Sequence, residues 1–567
     1  MPAMQHVNIS KDLKDDIVRA IEKAIARLKS EGAIPSEAAA PVPIEIPKDP
    51  KFGDFASPVA LALAREARLK PRDLAVRIAE EVTLEKDPLI LKAEVAGPGF
   101  INFYLADRWL DYAVKAVRKA GADYGRSANG AGERVNVEFV SANPVGPLNI
   151  VNARAAAVGD SLTRMMNFTG YRAESEFYVN DAGNQVSVLA DSVYARFRQS
   201  LGEDYPFPEE GYQGLYVKDI AERAREELGE GLAEMPPEEA KSLLKKYSLK
   251  QMLDWQKKSL KAYDVEFGTW TSEKGLRDEG AVEAALDRMR GNDDLYEEEG
   301  AVWFKSTKYG DDKDRVMIKG DGEYTYVAPD FAYHLDKLGR GFTKLIDVLG
   351  PDHHGYQGRM QAGIKSFGYP EGTLYVLILQ LVTLLRGGEA VKMSKRAGEF
   401  ITMDDLLEEV PKDAARYFFI MRNTNSHLEF DMEVAAKSTP DNPVWYVQYA
   451  HARCCSIFEK AQREGTDLGL MEGADCSLLT HPTETALIRR MSVFPDELWA
   501  AVGELQPSRM ARYAYELAGE FHRFYTECRV VSEDAALSAA RLALVDAVRI
   551  TIANLLPLMG ISAPERM

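Results

Sequence analysis

The stretch "ERVNVEFVSANPVGPLNIVNARAAAVGD", residues 133–160, joins a strand pattern to a helix pattern through one tight turn. Apolar and polar residues alternate over 133–143, which is typical of a strand. A Pro/Gly turn follows, and an Ala-rich helix is expected to run to about residue 167. The stretch "RAESEFYVND" then alternates as a second strand. This order predicts a βαβ unit and a fold built on a parallel sheet.

Patterns on either side of this unit divide the chain into three parts. Residues 1–125 combine an amphipathic helix with a strand, glycine turn and strand in "LKAEVAGPGFINFYLA", which predicts an α+β unit. Residues 126–410 contain the βαβ unit, an insertion at about 200–300 that is rich in Glu, Asp and Lys, and further strand patterns in "FTKLIDVLG" and "LYVLILQLVTLL". Helical patterns dominate residues 411–567 and predict an all-α bundle.

Composition narrows the class of protein. A chain of 567 residues suggests about three to four domains. Its four cysteines form no CxxC pair, so we expect neither a disulfide framework nor a zinc site, and a reducing cytoplasm fits best. The N-terminus has no signal-peptide pattern, and we identify no apolar run of bilayer length. A net charge of −18 argues against nonspecific binding of nucleic acid over the whole surface. An acidic protein can still carry local basic patches.

Two segments have the chemistry of a polyphosphate site. The turn at residues 147–153 ends in a helix N-terminus, whose free N–H groups and positive dipole end favour phosphate, although most isolated turns of this kind bind nothing. The run "RGGEAVKMSKRAGEF", residues 386–400, contains Lys392 and Lys395 on a glycine-rich loop. Such ammonium groups can neutralise a departing pyrophosphate. The alternative for this segment is an ordinary solvated basic loop.

In these segments and in blocks along nearly the whole chain, the sequence resembles the arginyl-tRNA synthetase family of class I. The blocks that carry the resemblance are "GDFASPVALALAR", "GPGFINF", "VEFVSANPVGPL", "FYVNDAGNQ", "APDFAYHLDKL", "GPDHHGY", "KMSKRAGEF", "DAARYFFIMR", "YVQYAHAR" and "LLPLMGISAPERM".

The resemblance implies a multidomain α/β protein: a tRNA-elbow domain over 1–125, a Rossmann-type catalytic domain over 126–410, and a helical anticodon-binding domain over 411–567. The implied reaction joins arginine to ATP and passes the arginyl group to tRNA(Arg). Mg²⁺ is expected to travel with ATP, without a permanent cofactor or a resident metal. Neither DNA nor membrane is an expected partner, and the resemblance implies a cytoplasmic monomer.

One motif departs from the family pattern. Where the family has His-x-Gly-His, this chain has Asn149-Ile150-Val151-Asn152. An asparagine amide can donate a hydrogen bond to a phosphate, but it cannot be protonated and it reaches less far than histidine. The β-branched Val151 replaces a glycine that lets the nucleotide approach the backbone. Weakened ATP binding is therefore expected, and the alternative to a ligase is a catalytically impaired, synthetase-like tRNA-binding protein.

By resemblance, we assign site residues as follows. Arginine binding falls to Glu138, Ser141, Asn143, Tyr326 and Asp330; ATP binding to Pro147, Asn149, Val151, Asn152, His354, Met393 and Ser394; and catalysis to Lys392 and Lys395. Alternatives are a solvated strand position for Glu138, a helix N-cap for Asp330 and loop packing for the pair His353-His354.

Recognition of tRNA is assigned to aromatic and cationic side chains, because single-stranded loops are commonly read by stacking. The candidates are Phe52, Tyr446, Gln448, Tyr449, Arg453 and the C-terminal Met567. The alternative for each aromatic side chain is packing in a core. A nucleotidyltransferase that uses no tRNA is a third possibility, disfavoured by the family-like blocks at both ends of the chain.

Overall fold

The structure is a computed structural model that describes residues 6–47, 49–85, 88–353, 355–391 and 401–567. The first unit packs helices on an antiparallel sheet of order β1-β3-β2. Asn8 caps its first helix by accepting a hydrogen bond from the backbone N–H of Lys11. The elements are α1 (Ile9–Ser30), β1 (Phe55–Ser57), α2 (Val59–Ala67), α3 (Pro71–Leu84), β2 (Ile90–Ala96), β3 (Phe100–Leu105) and α4 (Arg108–Ala120).

The predicted βαβ unit is present, and three helices follow it before the next strand. The elements are β4 (Arg134–Glu138), α5 (Ile150–Phe168), β5 (Arg172–Val179), α6 (Asn184–Ser200), α7 (Leu215–Leu228), α8 (Pro237–Ala262) and β6 (Thr269–Ser272). Helices α6, α7 and α8 share a small hydrophobic core of their own. Strand β6 lies inside the range expected as an insertion, yet it pairs with β5 in the central sheet. We call residues 184–262 the helical insertion.

Between β6 and β10 the chain leaves the central sheet a second time and forms a small antiparallel sheet of order β7-β8-β9. Strands β10 and β11 then complete the central sheet. The elements are α9 (Glu273–Asp278), α10 (Ala281–Gly291), β7 (Leu295–Glu298), β8 (Ala301–Phe304), β9 (Arg315–Ile318), α11 (Val327–Gly339), β10 (Lys344–Leu349), α12 (Tyr356–Ser366) and β11 (Leu374–Ile378).

The remaining strands form a separate sheet of order β13-β12-β14, and helices follow it. The run "LYVLILQLVTLL" is therefore divided between two sheets. The elements are β12 (Val382–Arg386), β13 (Glu389–Ala390), α13 (Met403–Glu409), α14 (Lys412–Ile420), β14 (Leu428–Asp431), α15 (Met432–Ala436), α16 (Pro443–Arg463), α17 (Pro482–Ser492), α18 (Phe494–Gly503), α19 (Ser508–Glu527) and α20 (Ala535–Leu555). Among the described residues, one helical segment, Ala535–Met559, is long enough and apolar enough to span a membrane. Of its most apolar stretch, 67% is buried inside the protein.

The central sheet has the order β11-β10-β4-β5-β6, and all its strands are parallel. The chain builds outward from β4 to β5 and β6, then returns to the other side of β4 with β10 and β11. The winding direction therefore reverses between β4 and β10. In open parallel sheets, the crevice at the carboxyl ends of the strands beside such a reversal is where ligands bind.

A buried arginine joins the sheet domain to the C-terminal bundle. Arg416 on α14 is fully buried and pairs with Asp160 on α5. It also donates to the carbonyl oxygens of Met559, at 2.8 Å, and Tyr263, at 3.2 Å. Gly560 takes a positive φ of 66°, and a Cβ there would lie 2.3 Å from the guanidinium. Only glycine therefore fits against Arg416 at this position.

Replacing this arginine should destabilise the protein strongly, because Asp160 would keep only the partly exposed Arg164 as a partner and the carbonyls of Met559 and Tyr263 would lose their buried donor. We expect Arg416→Met to lower the free energy of unfolding by about 3–5 kcal/mol. The control is Lys412→Met on the same helix, whose ammonium is partly exposed and no closer than 3.9 Å to an acidic oxygen. We expect that change to cost less than about 1 kcal/mol. Urea denaturation followed by circular dichroism measures both, and equal losses would contradict the assignment.

Candidate active site

Two acidic side chains meet at the reversal of the sheet. Glu138 ends β4, Asp347 lies on β10, and the two residues are register partners in the parallel pair. Both are buried. Two carboxylates so close and so poorly hydrated would repel each other, so a cation is required between them.

Lys337 on α11 supplies that cation. Its Nζ lies 2.5 Å from Glu138 Oε2 and 3.3 Å from Asp347 Oδ1, and the side chain is fully buried. His334, one turn earlier, places Nε2 2.8 Å from the second oxygen of Asp347. Burial alone would lower the pKa of Lys337, but the attraction of Asp347 and Glu138 outweighs it and raises that pKa. Each of the two acidic residues therefore has a partner inside the protein.

The chain leaves β4 through a strained bend that shapes this pocket. Val140 and Ser141 both take positive φ values, of 69° and 36°. A β-branched residue rarely adopts this conformation, and such strain concentrates at functional sites. The bend lets Ser141 Oγ donate to Glu138 Oε1 at 2.9 Å and accept from the backbone N–H of Tyr178 at 3.1 Å. The structure thus brings two arginine-pocket candidates, Glu138 and Ser141, into direct contact.

Asp330 lies close enough to Glu138, Glu273 and Asp347 to interact with their charges, and it has no ion-pair partner of its own among the described residues. It lies on the first turn of α11, whose N-cap position is Tyr326, so Asp330 is not an N-cap. The pKa of Asp330 is raised to about 7, chiefly by loss of hydration; His334 opposes this rise, and the negative charges of Glu138, Glu273 and Asp347 contribute to it. A cationic ligand would supply the missing partner.

Glu273, at the start of α9, is a further acidic residue near the pocket that the motifs did not predict. It is buried, and its Oε1 accepts from Arg277 Nε at 3.0 Å. The other two arginine-pocket candidates make contacts elsewhere. Asn143 is exposed and donates to Gln185 Oε1 at 2.8 Å. Tyr326 is 67% exposed, and its hydroxyl accepts from Arg359 Nη1 at 2.7 Å.

Asn149 and Asn152, which replace the two histidines of the family motif, form a capping box at the N-terminus of α5. Asn149 Oδ1 accepts from the backbone N–H groups of Val151, at 2.9 Å, and Asn152, at 3.2 Å. Asn152 Oδ1 accepts from the backbone N–H of Asn149 at 3.0 Å. These contacts fix both amide oxygens toward the helix, which leaves each Nδ2 as the remaining donor of its side chain. The side chain of Val151 packs partly against the main hydrophobic core.

The start of α13 lies beside this turn. The backbone N–H of Met403 donates to the Leu148 carbonyl at 2.7 Å, and Thr402 forms an antiparallel bridge with Asn149. Residue 401 follows directly on the predicted basic loop. The candidates Lys392, Met393, Ser394, Lys395 and His354 lie outside the described residues.

Arg154 on α5 bonds the backbone next to strands β11, β12 and β14. It is fully buried on α5 and donates to the carbonyl oxygens of Gln380 at 2.6 Å, Asn423 at 3.2 Å and Ser426 at 3.3 Å. Burial lowers the pKa of Arg154 to about 10. The described residues contain no cluster of three or more His, Cys, Asp or Glu side chains suited to a metal ion.

A separate surface on the C-terminal bundle contains three of the six tRNA candidates, Tyr446, Tyr449 and Arg453. Tyr449 stacks on Trp445 at a centroid distance of 4.7 Å, and Arg453 lies 4.8 Å from the Tyr449 ring. Tyr446 contacts His522 and lines a cleft between α16 and α19. Gln448 departs from the expected surface position: it is buried, and its amide donates to Asp413 and to Ser562.

The remaining two tRNA candidates are exposed. Met567 is 52% exposed at the C-terminus, beside a tail that α16 holds through a 2.9 Å contact between His451 Nδ1 and the Pro564 carbonyl. Phe52 in the N-terminal unit is 45% exposed, with the Lys51 ammonium 4.9 Å from its ring centroid. Neither side chain is needed in a core.

Comparison with known proteins agrees with this architecture. Residues 11–105 match the family described as arginyl tRNA synthetase N terminal domain, residues 114–439 the class I (R) tRNA synthetase catalytic domain, and residues 447–567 the DALR anticodon binding domain. A solved structure, the arginyl-tRNA synthetase of Thermus thermophilus, has the same fold with a TM-score of 0.73 at 21% identity, covering 97% of this chain and all of that one. The predicted fold class is confirmed, and it is that of a class I aminoacyl-tRNA synthetase.

Similarity in sequence gives the family. The chain is 46% identical over 559 residues to a protein of Heliobacterium modesticaldum named arginine–tRNA ligase, with 97% of this chain and 98% of the relative covered. A relative of the same name from Bacillus subtilis is 45% identical, with 99% of this chain and all of the relative covered. The chain belongs to the arginyl-tRNA synthetase family, which confirms the resemblance carried by its motifs.

The raised pKa of Asp330 predicts how arginine binding depends on pH. A guanidinium pairs with the carboxylate and not with the carboxylic acid, so binding must release the proton that Asp330 holds below pH 7. We expect the arginine Kd to rise about tenfold for each pH unit below about 7. Calorimetric titration between pH 5.5 and 8.5 measures this, and Asp330→Asn should bind arginine weakly at every pH. A wild-type Kd independent of pH would contradict the assignment.

Proposed function

We propose that this chain is an arginine–tRNA ligase, which forms arginyl-adenylate from arginine and ATP and then transfers the arginyl group to tRNA(Arg). The observation that carries the proposal is the uncompensated carboxyl group of Asp330 in a pocket at the reversal of the sheet, in a chain whose full-length relatives bear that name. The ATP turn lies on the same continuous segment as Ser141 and Asn143 of the arginine pocket, directly after β4.

For arginine, Asp330 is the proposed partner of the guanidinium, because Glu138 and Asp347 already share Lys337 as a partner and Asp347 also contacts His334. Carboxylates bind a guanidinium through paired, charge-assisted hydrogen bonds, which distinguish it from the ammonium of lysine. Glu138 and Ser141 shape the pocket through their mutual hydrogen bond. Asn143 and Tyr326 remain proposed arginine ligands. Asn143 can offer its Oδ1 to the substrate while its Nδ2 stays bonded to Gln185, whereas the Tyr326 hydroxyl would have to exchange Arg359 for the substrate.

For ATP, the proposed phosphate donors are the Nδ2 groups of Asn149 and Asn152, with Pro147 and Val151 lining the turn. The reciprocal cap supports this role because it orients both amides before the nucleotide arrives. His354, Met393 and Ser394 complete the proposed ATP set. Lys392 and Lys395 are the proposed catalytic cations that neutralise the departing pyrophosphate.

The remaining proposals concern partners and setting. Mg²⁺ would accompany ATP, in keeping with its usual binding through substrate phosphates and a few carboxylates. We propose domain boundaries near residues 125 and 410, no permanent cofactor and a cytoplasmic monomer. Neither DNA nor membrane is a proposed partner.

For tRNA, Tyr446, Tyr449, Arg453, Met567 and Phe52 are the proposed contacts. Phe52 and Met567 are exposed, and Tyr446 lines the cleft of the C-terminal bundle. Tyr449 and Arg453 are half-buried, and their support is the stack that they form with Trp445. Gln448 would act indirectly, because its amide holds the C-terminal tail against α16 through Ser562.

The alternative, a catalytically impaired tRNA-binding protein, rests only on the Asn149-Ile150-Val151-Asn152 segment. The comparisons give it no support. The reciprocal cap also gives this segment an ordered structure that retains two amide donors.

Arginylation of tRNA(Arg) with ATP and Mg²⁺ tests the proposed function directly. We expect the wild-type chain to turn over within about tenfold of Asn149→His/Val151→Gly/Asn152→His, because the cap already presents two donors. If only the substituted protein charges tRNA while both bind it equally, the chain is an impaired scaffold.

An isosteric change separates hydrogen-bond donation from helix capping. Aspartate caps a helix as well as asparagine but offers no amide donor. We expect Asn149→Asp and Asn152→Asp each to lower kcat/KM for ATP by about 10²–10³, with no loss in melting temperature. Steady-state kinetics and differential scanning fluorimetry measure the two effects. Unchanged kinetics in both variants would contradict the proposed donors.

Loss of a stacking side chain should weaken tRNA binding and leave arginine binding intact. We expect Tyr449→Ala to raise the Kd for tRNA(Arg) about 5- to 100-fold, the range for one base–aromatic stack. Tyr375→Ala, an exposed tyrosine on β11, is the control and should have no effect. Filter binding measures the tRNA Kd, and equal Kd values for the two variants would contradict the assigned surface.

A further inference from the structure

All three helices of the helical insertion hold the same short loop. The loop, residues 143–147, runs between the arginine pocket and the ATP turn. From α6, Gln185 Oε1 accepts from Asn143 Nδ2 at 2.8 Å. From α7, Tyr216 Oη donates to the Val145 carbonyl at 2.7 Å. From α8, Gln256 Nε2 donates to the carbonyls of Gly146, at 3.0 Å, and Asn143, at 3.3 Å.

The contact between Tyr216 and the loop is closely fitted. A Cβ at Gly146 would lie 3.3 Å from the Tyr216 hydroxyl, and a Cβ at Gly214 would lie 2.4 Å from its ring. Val145 packs against the insertion's own hydrophobic core. Burial raises the pKa of Tyr216, so its hydroxyl stays protonated and able to donate. The loop is thus seated in the insertion by shape as well as by hydrogen bonds.

The side-chain amide of Gln256 points its Nε2 at the loop and leaves its Oε1 without a hydrogen bond. The side chain is 1% exposed, and its Oε1 is buried without a hydrogen-bond partner in the described part of the chain. A buried acceptor without a partner is unfavourable, so the amide is held in an orientation that satisfies the two loop carbonyls at the expense of its own oxygen.

The loop connects the two halves of the candidate active site. It begins two residues after Ser141, which bonds Glu138, and ends two residues before Asn149, which caps α5. A shift of the loop would therefore move the arginine pocket and the ATP turn relative to each other. Displacement of reacting groups by about 1 Å can cost 10²-fold in rate.

We propose that Tyr216 and Gln256 are positioning residues, through which the helical insertion sets the alignment of arginine with ATP. The inference rests on the proposed function, since it concerns the reaction between these two substrates. It gives the insertion a role in the chemical step, which Tyr216 and Gln256 exert through the loop backbone that they hold. The competing explanation is that these bonds only dock the insertion on the sheet domain.

Matched variants of the helical insertion separate the two explanations. Gln256→Met keeps the volume and removes the donor, and Tyr216→Phe removes one hydroxyl. The controls are Gln251→Met, which breaks a bond to Arg223 within the insertion, and Tyr212→Phe on the segment before α7. Adenylate formation in the presence of tRNA(Arg) gives kcat, calorimetry gives the Kd of each substrate, and fluorimetry gives the melting temperature.

Positioning predicts a loss in kcat at nearly unchanged affinity and stability. We expect kcat to fall about tenfold in Gln256→Met and about threefold in Tyr216→Phe, with a double variant losing less than the product because both hold one loop. The controls should stay within about twofold of wild type. Docking alone predicts a lower melting temperature with kcat unchanged, and that result would overturn the inference.

Hydrogen exchange gives a readout that does not depend on activity. We expect amides in the peptide covering 141–149 to exchange faster in Gln256→Met than in Gln251→Met. If the wild-type chain fails to charge tRNA, the proposed function is overturned and the exchange comparison decides whether the insertion holds the loop. If the wild type is active and every variant matches it, the positioning inference is overturned while the proposed function stands.

Discussion

The ion pairs of Lys337 are the constraint on which the candidate site depends. Parallel pairing of β4 with β10 places Glu138 and Asp347 side by side in a poorly hydrated crevice. Without a cation, one of them would have to take up a proton or the strands would separate. The ammonium of Lys337 reduces this repulsion by pairing with both carboxylates. The pocket therefore keeps Asp330 as an acidic side chain still lacking a partner, which suits a cationic substrate.

The helix and strand order was largely predictable from sequence, because β4, α5 and β5 show clear changes of hydrophobic period. Two features were not. Strand β6 is four residues long, too short for a pattern to place it in the central sheet. The run "LYVLILQLVTLL" is continuously apolar, so its division between β11 and β12 leaves no mark in hydrophobicity.

The candidate site was predictable only where motifs point to it. Of the residues assigned by resemblance, Glu138 and Ser141 are in contact, and Asp330 lies near enough to Glu138 to interact with its charge. Lys337 was missed because its partners lie 199 and 10 residues away, and only the packing of α11 on the sheet unites them. A signal was available in "KLIDVLG", where a charged residue interrupts a buried strand. The burial of Gln448 depends on the docked C-terminal tail, which no local pattern of α16 reveals.

The contact between Arg416 and the segment after α20 bears on the order of synthesis. Asp160 and Arg416 are made long before Met559 and Gly560, yet all four meet in one buried cluster. While the chain is still emerging from the ribosome, the arginine has its acid but lacks the Met559 carbonyl, and the space later closed by Gly560 stays open to water. The sheet domain therefore completes its interior only when the last helix has been translated and docked. Translation stalled before that helix would leave a nascent chain with a hydrated defect beside α5, a ready target for proteolytic quality control.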